Sequence, residues 1–165
     1  MKVLAASLGV SSNGSRAGVV TFSYNAEHSI KLSDHASVTT FNDAVDKIPL
    51  MGSTTRIDKA LRLSQKELFS IANGARPGIP KLLILLTDGS QTMDVDAVDP
   101  GKIADEIRAR GIKILVIGIG AGVNQTELIH LGGGQENTFS ASSFDELVSG
   151  TFIDKVIEKK CDVGM

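Results

Sequence analysis

The strongest constraint on the fold is a short apolar run that ends in a cluster of turn-forming residues. Residues 82–86 are all leucine or isoleucine, and Thr87, Asp88, Gly89 and Ser90 follow them. A run of this length with such a boundary predicts a strand that is buried on both faces, as in a parallel sheet. Ligands of open α/β sheets bind at the carboxyl ends of the strands. Asp88 and its hydroxyl neighbours therefore form a candidate site for a hard cation.

Strand and helix patterns alternate along the rest of the chain. Apolar, β-branched stretches predict a strand over 17–23 and a buried strand over 112–118, and shorter patterns predict edge strands over 28–32 and 137–139. Apolar residues at helical spacing predict a helix that ends near residue 10, and further helices over 41–48, 57–71, 99–111, 127–131 and 144–160. This alternation predicts an α/β fold with a doubly wound, mostly parallel sheet flanked by helices. The length of 165 residues predicts a single domain spanning 1–165.

The charge balance narrows the class of partner. The chain has 17 basic and 19 acidic residues and a net charge of −2, whereas nucleic-acid-binding domains are normally basic. No apolar run approaches the roughly 18 residues that a membrane-spanning helix needs. We therefore expect neither nucleic-acid binding nor a membrane span. The two glycosylation sequons, at Asn13 and Asn124, mildly favour an extracellular location.

Two loops at predicted strand ends carry a family resemblance. One is Met51-Gly52-Ser53-Thr54-Thr55-Arg56-Ile57-Asp58-Lys59-Ala60-Leu61, and the other is Leu86-Thr87-Asp88-Gly89-Ser90. Together with the strands at 19–23 and 116–120, and in this order, they resemble the von Willebrand factor type A domain along nearly the whole chain. The first loop is similar to the A domains of extracellular-matrix proteins such as collagen VI and the matrilins.

The resemblance implies a metal-ion-dependent adhesion site that binds Mg²⁺ or Mn²⁺. It assigns Thr55 and Asp88 as metal ligands, with Thr54 as a competing threonine, because the loop carries two in a row. The residues that it implies for shaping the two loops are Gly52, Ser53, Thr54, Gly89 and Ser90. Oxygen ligands with few carboxylates suit Mg²⁺, and an open coordination position would accept a carboxylate from a partner protein.

The sequence departs from the family at its first strand. The family's Asp-x-Ser-x-Ser signature, carried on a central strand, is absent. We therefore expect metal binding by this chain to be weak or absent. We also expect a fragment, an incomplete gene model or splice form, or a chain that borrows a strand. Sheet edges left without that strand would favour self-association.

Cys161 is the one cysteine of the chain. The resemblance implies that its disulfide partner would precede the first strand, and an unpaired structural thiol is the alternative.

The function that the resemblance implies is a non-enzymatic, extracellular protein-binding module within a larger protein. Its partner would be a matrix or cell-surface protein such as collagen. One alternative is a purely structural matrix-assembly domain without a functional metal site. The other is a nucleotide-binding enzyme, because Gly118-Ile119-Gly120-Ala121-Gly122 follows a predicted strand, although the third glycine of a dinucleotide-binding motif is missing.

Several polar residues also have purely structural interpretations. Asp88 could cap its own turn, and Thr55 could be the N-cap of the helix that follows it. We expect Arg56 and Asp58 to lie on a solvated helix start. The residues expected at exposed or loop positions are His28, His35 and His130. The acidic stretch of Asp94, Asp96 and Asp99 could hold Ca²⁺ or simply be solvated, and a solvated stretch is the expectation.

Overall fold

The structure, a computed structural model, describes residues 1–52 and 54–158. The chain divides into two compact units, Met1–Ile79 and a second that begins at Pro80. Each unit is described by itself. No helix in the described ranges combines the length and the apolar character that a bilayer span requires.

The first unit contains a β-hairpin and three helices. Its regular elements are α1 (Lys2–Ser7), β1 (Val19–Phe22), β2 (Ala26–Ile30), α2 (Val38–Val45) and α3 (Ile57–Leu63). β1 and β2 pair antiparallel, which confirms an edge strand beside the 17–23 strand. The hairpin, α1 and α2 contribute to an apolar cluster whose buried members are Ala5, Val10, Val19, Ile30 and Phe41. A second cluster consists of Leu32, Leu68 and Ala75.

The predicted helix over 57–71 is wrong in its second half. α3 ends at Leu63, and a π-helical turn (Ser64–Leu68) and a 3-10 turn (Ile71–Asn73) follow it. The amide of Phe69 donates to the Ser64 carbonyl, five residues back. The Ser70 side chain accepts a hydrogen bond from the Asn73 amide and so caps a new turn. A serine that bonds to the backbone in this way competes with continuation of a helix.

The second unit is an α/β unit built on a parallel sheet. Its elements are β3 (Lys81–Thr87), α4 (Pro100–Ala109), β4 (Ile112–Ile119), α5 (Gln125–Gly132), β5 (Thr138–Ala141), α6 (Phe144–Leu147) and α7 (Gly150–Glu158). The strand order is β3-β4-β5, with both pairs parallel. β4 is central and almost entirely buried. This unit confirms the α/β fold with a parallel sheet.

The predicted continuous helix over 144–160 is interrupted. α6 ends at Leu147 and α7 begins at Gly150, because the Ser149 side chain accepts a hydrogen bond from the Phe152 amide and caps the second helix. Residues 159–165, and the predictions made for Cys161, lie outside the described residues.

Every strand of the described residues except β4 has a neighbour on one side only. Among residues 1–52 and 54–158, β1 pairs with β2 and β3 pairs with β4, so that each leaves one edge without a strand partner. Alternate residues of β3 are buried, whereas the residues of β4 are buried almost throughout.

Candidate functional site

The threonine loop lies in the first unit, between α2 and α3. The amide of Arg56, which directly follows Thr55, donates a 3.0 Å hydrogen bond to the carbonyl of Ser23. Ser23 follows β1 in the chain. This bond holds the end of the threonine loop at the carboxyl end of β1, which is the position expected of a ligand-binding loop. Gly52 is exposed on this loop, and Ser53 lies outside the described residues.

The two adjacent threonines have different environments. The Thr54 hydroxyl oxygen is buried and has no hydrogen-bond partner among the described residues. Thr55 is half-buried and has an interaction partner within the chain. A buried hydroxyl without a partner costs free energy, and a bound cation or water would repay it. Thr54 therefore remains the alternative metal ligand to Thr55.

Arg56 and Asp58 are buried, so the expectation that they lie on a solvated helix start is wrong. Their residues are 1% and 3% exposed. The Arg56 guanidinium donates from Nε to Asp58 Oδ1 at 2.9 Å and from Nη2 to Asp58 Oδ2 at 2.8 Å. A two-point pair of this kind satisfies both ions and fixes their orientation. Residues two apart on a helix do not normally face each other, so the sequence spacing of Arg56 and Asp58 did not indicate the pair.

Arg56 also occupies the N-cap position of α3, with no capping hydrogen bond from its side chain. The predicted N-cap role of Thr55 is therefore wrong. The helix start is held instead by the buried ion pair and by the bond from the Arg56 amide to Ser23.

The aspartate loop lies in the second unit, at the carboxyl end of β3. Thr87 closes the turn, because its hydroxyl donates to the Gly89 carbonyl at 2.8 Å and accepts from the Gly89 amide at 3.3 Å. Asp88 is exposed, and its carboxylate accepts no hydrogen bond from any residue that the structure describes. The predicted turn-capping role therefore belongs to Thr87, and the Asp88 carboxylate is left available.

Close packing explains two glycines of the Gly118–Gly122 stretch. A Cβ on Gly118 would lie 2.4 Å from the Leu128 side chain of α5, and one on Gly122 would lie 2.7 Å from the Asp88 carbonyl oxygen. The Ser90 hydroxyl donates to the Gly122 carbonyl at 3.3 Å. These glycines bring α5 onto β4 and the aspartate loop onto the next loop, which is a packing role and needs no bound phosphate.

The chain from Asp88 to Asp99 is attached at both ends. The Gln91 amide donates to the Glu127 carboxylate at 3.1 Å, and Asp99 caps α4 by accepting from the Gly101 amide at 2.9 Å. Asp94 and Asp96 between them are exposed. No group of three or more His, Cys, Asp or Glu residues that could hold a metal occurs within 1–52 and 54–158, so the structure gives no support to a Ca²⁺ site in this stretch.

Both sequon asparagines are exposed. Asn124 caps α5, because its side-chain oxygen accepts from the amides of Thr126 and Glu127 at 3.0 and 3.2 Å. Asn13 lies in a bend before β1.

Two of the histidines differ in exposure. The His28 side chain on β2 is only 13% exposed, with Nε2 3.7 Å from the Glu67 carboxylate, so its predicted exposure is wrong. The His130 side chain is 53% exposed and lies 3.5 Å from the Asp105 carboxylate.

The carboxyl group of Glu146, which follows the carboxyl end of β5, has a lowered pKa. A hydrogen bond from the Ser142 hydroxyl, and a second from the Ser142 amide, hold the pKa of the Glu146 carboxyl below its ordinary value. Both bonds favour the ionised form.

The donors that the two loops offer are hydroxyl oxygens and one carboxylate. This chemistry suits Mg²⁺ or Mn²⁺, whose preferred ligands are oxygens. The number of charged donors is small, and the sequence contains no Asp-x-Ser-x-Ser segment to add to them. Thr54 and Thr55 belong to the first unit and Asp88 to the second, and their assignment as ligands stays a prediction.

The sequence of this chain is similar to those of known proteins along most of its length. The model of the von Willebrand factor type A domain matches residues 1–153. The chain is 29% identical over 145 residues, or 88% of its length, to von Willebrand factor A domain-containing protein 2 of Xenopus laevis. It is 33% identical over 147 residues, or 89% of its length, to the collagen alpha-6(VI) chain of Mus musculus.

A solved structure with a similar fold is proximal thread matrix protein 1 from the mussel byssus, with a TM-score of 0.85 and 29% identity over 98% of this chain. A second structure of that protein has a zinc-occupied MIDAS motif. The chain spans 17% and 6% of the lengths of the two sequence relatives, and 39% of the byssus protein's chain.

Proposed function

Because the chain belongs to the von Willebrand factor type A domain family, we propose that it is a non-enzymatic protein-binding module of the extracellular matrix. Its relatives include chains of collagen VI, and matrilin-1 of Gallus gallus, which is 34% identical over 118 residues. The proposed partner is a matrix or cell-surface protein such as collagen, and the proposed location is extracellular, within a larger protein.

The observation that carries the proposal is the state of Asp88. Its carboxylate is exposed at the carboxyl end of β3, while Thr87, Ser90 and Gln91 hold the backbone around it by hydrogen bonds. An acidic side chain that takes no part in holding its own loop is available for a ligand. We propose Asp88 and Thr55 as ligands of Mg²⁺ or Mn²⁺, with Thr54 as the alternative threonine, and the cation would supply an acceptor for a partner's carboxylate.

Other residues of the two loops position the proposed oxygen ligands. The buried Arg56–Asp58 pair orients the end of the threonine loop, and the hydrogen bonds of Thr87 to Gly89 fix the backbone on either side of Asp88. Few ionised donors are present, so we expect weak metal affinity. The byssus protein with a zinc-occupied motif supports divalent-cation binding as a property of a similar fold.

A thermal melt in Mn²⁺, in Mg²⁺ and in EDTA tests the metal assignment. A cation that binds only the folded chain raises the melting midpoint by mass action. We expect the rise to disappear in Asp88→Ala and to persist in Asp145→Ala, a matched control because Asp145 is also exposed, on α6 just after β5 of the same sheet. An equal loss of the rise in both variants would contradict the role of Asp88.

A second candidate function is a structural matrix-assembly domain without a working metal site. The absence of the Asp-x-Ser-x-Ser segment favours it, and so do the strand edges of β1 and β3 that have no strand partner among residues 1–52 and 54–158. Open edges invite pairing with another chain. A cooperative melt that ignores every cation, together with association seen by light scattering, would favour this function over the metal-dependent one.

A further inference from the structure

The glycosylation sequon at Asn124 lies beside a cavity of the second unit. Asn124 and Thr126, the two residues that define the sequon, are both exposed at the start of α5. The cavity has a volume of about 270 Å³, and its lining includes Asp99, Gly101, Glu127 and His130 as well as Asn124 and Thr126. Drug-sized ligands occupy clefts of roughly 300–1,000 Å³, so this cavity suits a smaller group, such as one sugar ring.

The Asn124 side chain uses one of its two polar atoms for the fold. Its Oδ1 accepts hydrogen bonds from the amides of Thr126 and Glu127 and so caps α5. Its Nδ2 donates no hydrogen bond to any residue that the structure describes. A sugar joined to Nδ2 leaves the carbonyl oxygen in place. The helix cap and a glycan at Asn124 are therefore compatible.

The carboxylates of the cavity wall suit a ligand that carries hydroxyl groups. Asp99 Oδ1 accepts from the Gly101 amide, and Glu127 Oε1 accepts from the Gln91 amide. The second oxygen of each carboxylate has no hydrogen-bond partner within 1–52 and 54–158. An ionised carboxylate accepts hydrogen bonds and donates none, so it pairs with the hydroxyl donors of a neutral sugar and repels an anion.

His130 gives the cavity a flat side. A Cβ on Gly101 would lie 2.4 Å from the His130 ring, so the ring lies directly over the backbone at the start of α4. Asp105, whose carboxylate lies 3.5 Å from His130 Nε2, is not a lining residue of the cavity. A flat ring beside hydroxyl acceptors matches the two kinds of surface that a sugar has, an apolar face and a polar edge.

We propose that Asn124 is N-glycosylated and that the first sugar, an N-acetylglucosamine, is seated in this cavity. Nδ2 forms a bond to C1 of a polyprenyl-pyrophosphate-linked oligosaccharide. The bond from C1 to the pyrophosphate oxygen breaks, the pyrophosphate leaves with its electron pair, and Nδ2 loses one proton. Cells supply this donor and its transferase in the secretory pathway, so the proposal rests on the extracellular location proposed above.

Glycopeptide mass spectrometry tests the modification. The full chain is expressed behind a secretory leader in mammalian cells and recovered from both the membranes and the medium. We expect a glycan at Asn124 in the parent chain and in Thr126→Ser, which keeps the sequon, and its loss in Thr126→Ala. Both variants keep the backbone amide that the cap uses. An empty Asn124 in the parent chain, or a glycan that survives Thr126→Ala, would overturn the proposal.

Enzymatic release under native conditions tests the seating of the sugar. Peptide N-glycosidase cleaves the bond between the sugar and Nδ2, and it acts only while the sugar is out of the cavity. We expect release from the parent chain to be about tenfold slower than from His130→Ala, a factor that corresponds to about 1.4 kcal/mol. After denaturation the two chains should release the glycan at the same rate.

Asp105→Ala is the matched control for that variant. It removes the carboxylate beside the His130 ring without changing the cavity wall, so its native release rate should equal that of the parent chain. Equal native rates in the parent chain and His130→Ala, or the same acceleration in Asp105→Ala, would overturn the seating.

These outcomes are separable from that of the metal assignment. A glycan at Asn124 in a chain whose melting midpoint ignores every cation would support this proposal and contradict the metal assignment alone. A cation-dependent midpoint in a chain with an empty Asn124 would do the reverse.

Discussion

The two loops that carry the proposed ligands are held in different ways. The threonine loop of the first unit runs into a buried ion pair, Arg56 with Asp58, both of whose side chains are almost completely enclosed. The aspartate loop of the second unit is held by neutral hydrogen bonds from Thr87 and Ser90, at positions that are in part exposed. Both loops lie at the carboxyl end of a strand, and only the first is held by a buried ion pair.

This difference separates stability from ligand binding. A buried ion whose partner is removed is costly, so the first loop is fixed by a contact that the fold itself requires. Each hydrogen bond of the second loop contributes little to the free energy of unfolding, so removing one should destabilise the chain only slightly. Asp88 itself takes no part in these bonds. We expect substitutions near Thr55 to unfold the chain and substitutions near Asp88 to change binding.

The largest effect should come from breaking the buried pair. Asp58→Ala leaves the Arg56 guanidinium enclosed without its carboxylate, and we expect it to lower the free energy of unfolding by about 3–5 kcal/mol. Urea unfolding followed by circular dichroism measures the change.

The matched control replaces both ions. A well-packed apolar pair of similar volume, Arg56→Met with Asp58→Leu, should recover most of the loss, because no buried charge is left without a partner. If the double variant is no more stable than Asp58→Ala, Arg56 and Asp58 stabilise the fold through contacts with other residues and not through their ion pair.

The next effect concerns the close approach of the aspartate loop to the loop after β4. Gly122→Ala would place a methyl carbon 2.7 Å from the Asp88 carbonyl oxygen, a backbone atom that can move only with its loop. We expect a loss of about 1–3 kcal/mol in the free energy of unfolding, typical of overpacking. Gly150→Ala is the control, because no atom lies within 4 Å of its added carbon. Equal losses in the two variants would show that the contact with Asp88 is not the cause.

The sequence predicted the elements better than their environments. The apolar run before Asp88 and the stretch at 112–118 became β3 and β4, as the short apolar runs bounded by turn residues predicted. The burial of β3 on both faces was wrong, because only its alternate residues are fully buried. The breaks at Ser70 and Ser149 were missed, because a serine that caps a new turn has the same residue type as one on a helix surface.

The environments of charged residues were the weakest part of the sequence analysis. The enclosure of Arg56 and Asp58 depends on which elements cover the start of α3, and helical periodicity does not contain that information. At the candidate site, the sequence indicated that Asp88 lies at a strand end. It did not indicate that Thr87 makes the hydrogen bonds that close the turn, because this depends on the backbone geometry of the turn.

A smaller effect is expected for the turn that flanks Asp88. Thr87→Val keeps the buried shape and removes both hydrogen bonds to Gly89, so we expect a loss of about 1 kcal/mol in the free energy of unfolding. Ser90→Ala, which removes one exposed bond, should cost less. The same urea titration measures both, and a larger loss in Ser90→Ala would reverse our ranking of buried above exposed bonds in this loop.

The smallest effect on stability should come from Ser142, on the loop between β5 and α6. Its hydroxyl and amide both donate to the Glu146 carboxylate and hold the pKa of that carboxyl below its ordinary value. Ser142→Ala removes the hydroxyl, which is the larger cause, and should raise the pKa of Glu146, while the amide bond keeps part of the shift. Carbon-detected NMR of the Glu146 carboxyl during an acid titration gives the pKa directly.

The sign of the pH dependence follows from the direction of that shift. A carboxyl with a lowered pKa in the folded chain stabilises it above the ordinary pKa of glutamate, and this contribution disappears as the pH falls through the folded value. Because Glu146 is fully exposed, we expect a clear change in its titration with little change in the melting midpoint. Lys155→Met, which removes the weakest of the causes that lower the pKa, should move the titration less than Ser142→Ala. A larger shift in Lys155→Met would mean that the charge of Lys155, and not the hydrogen bonds from Ser142, is the main cause of the lowered pKa of Glu146. Charge would then dominate here as it does at the threonine loop.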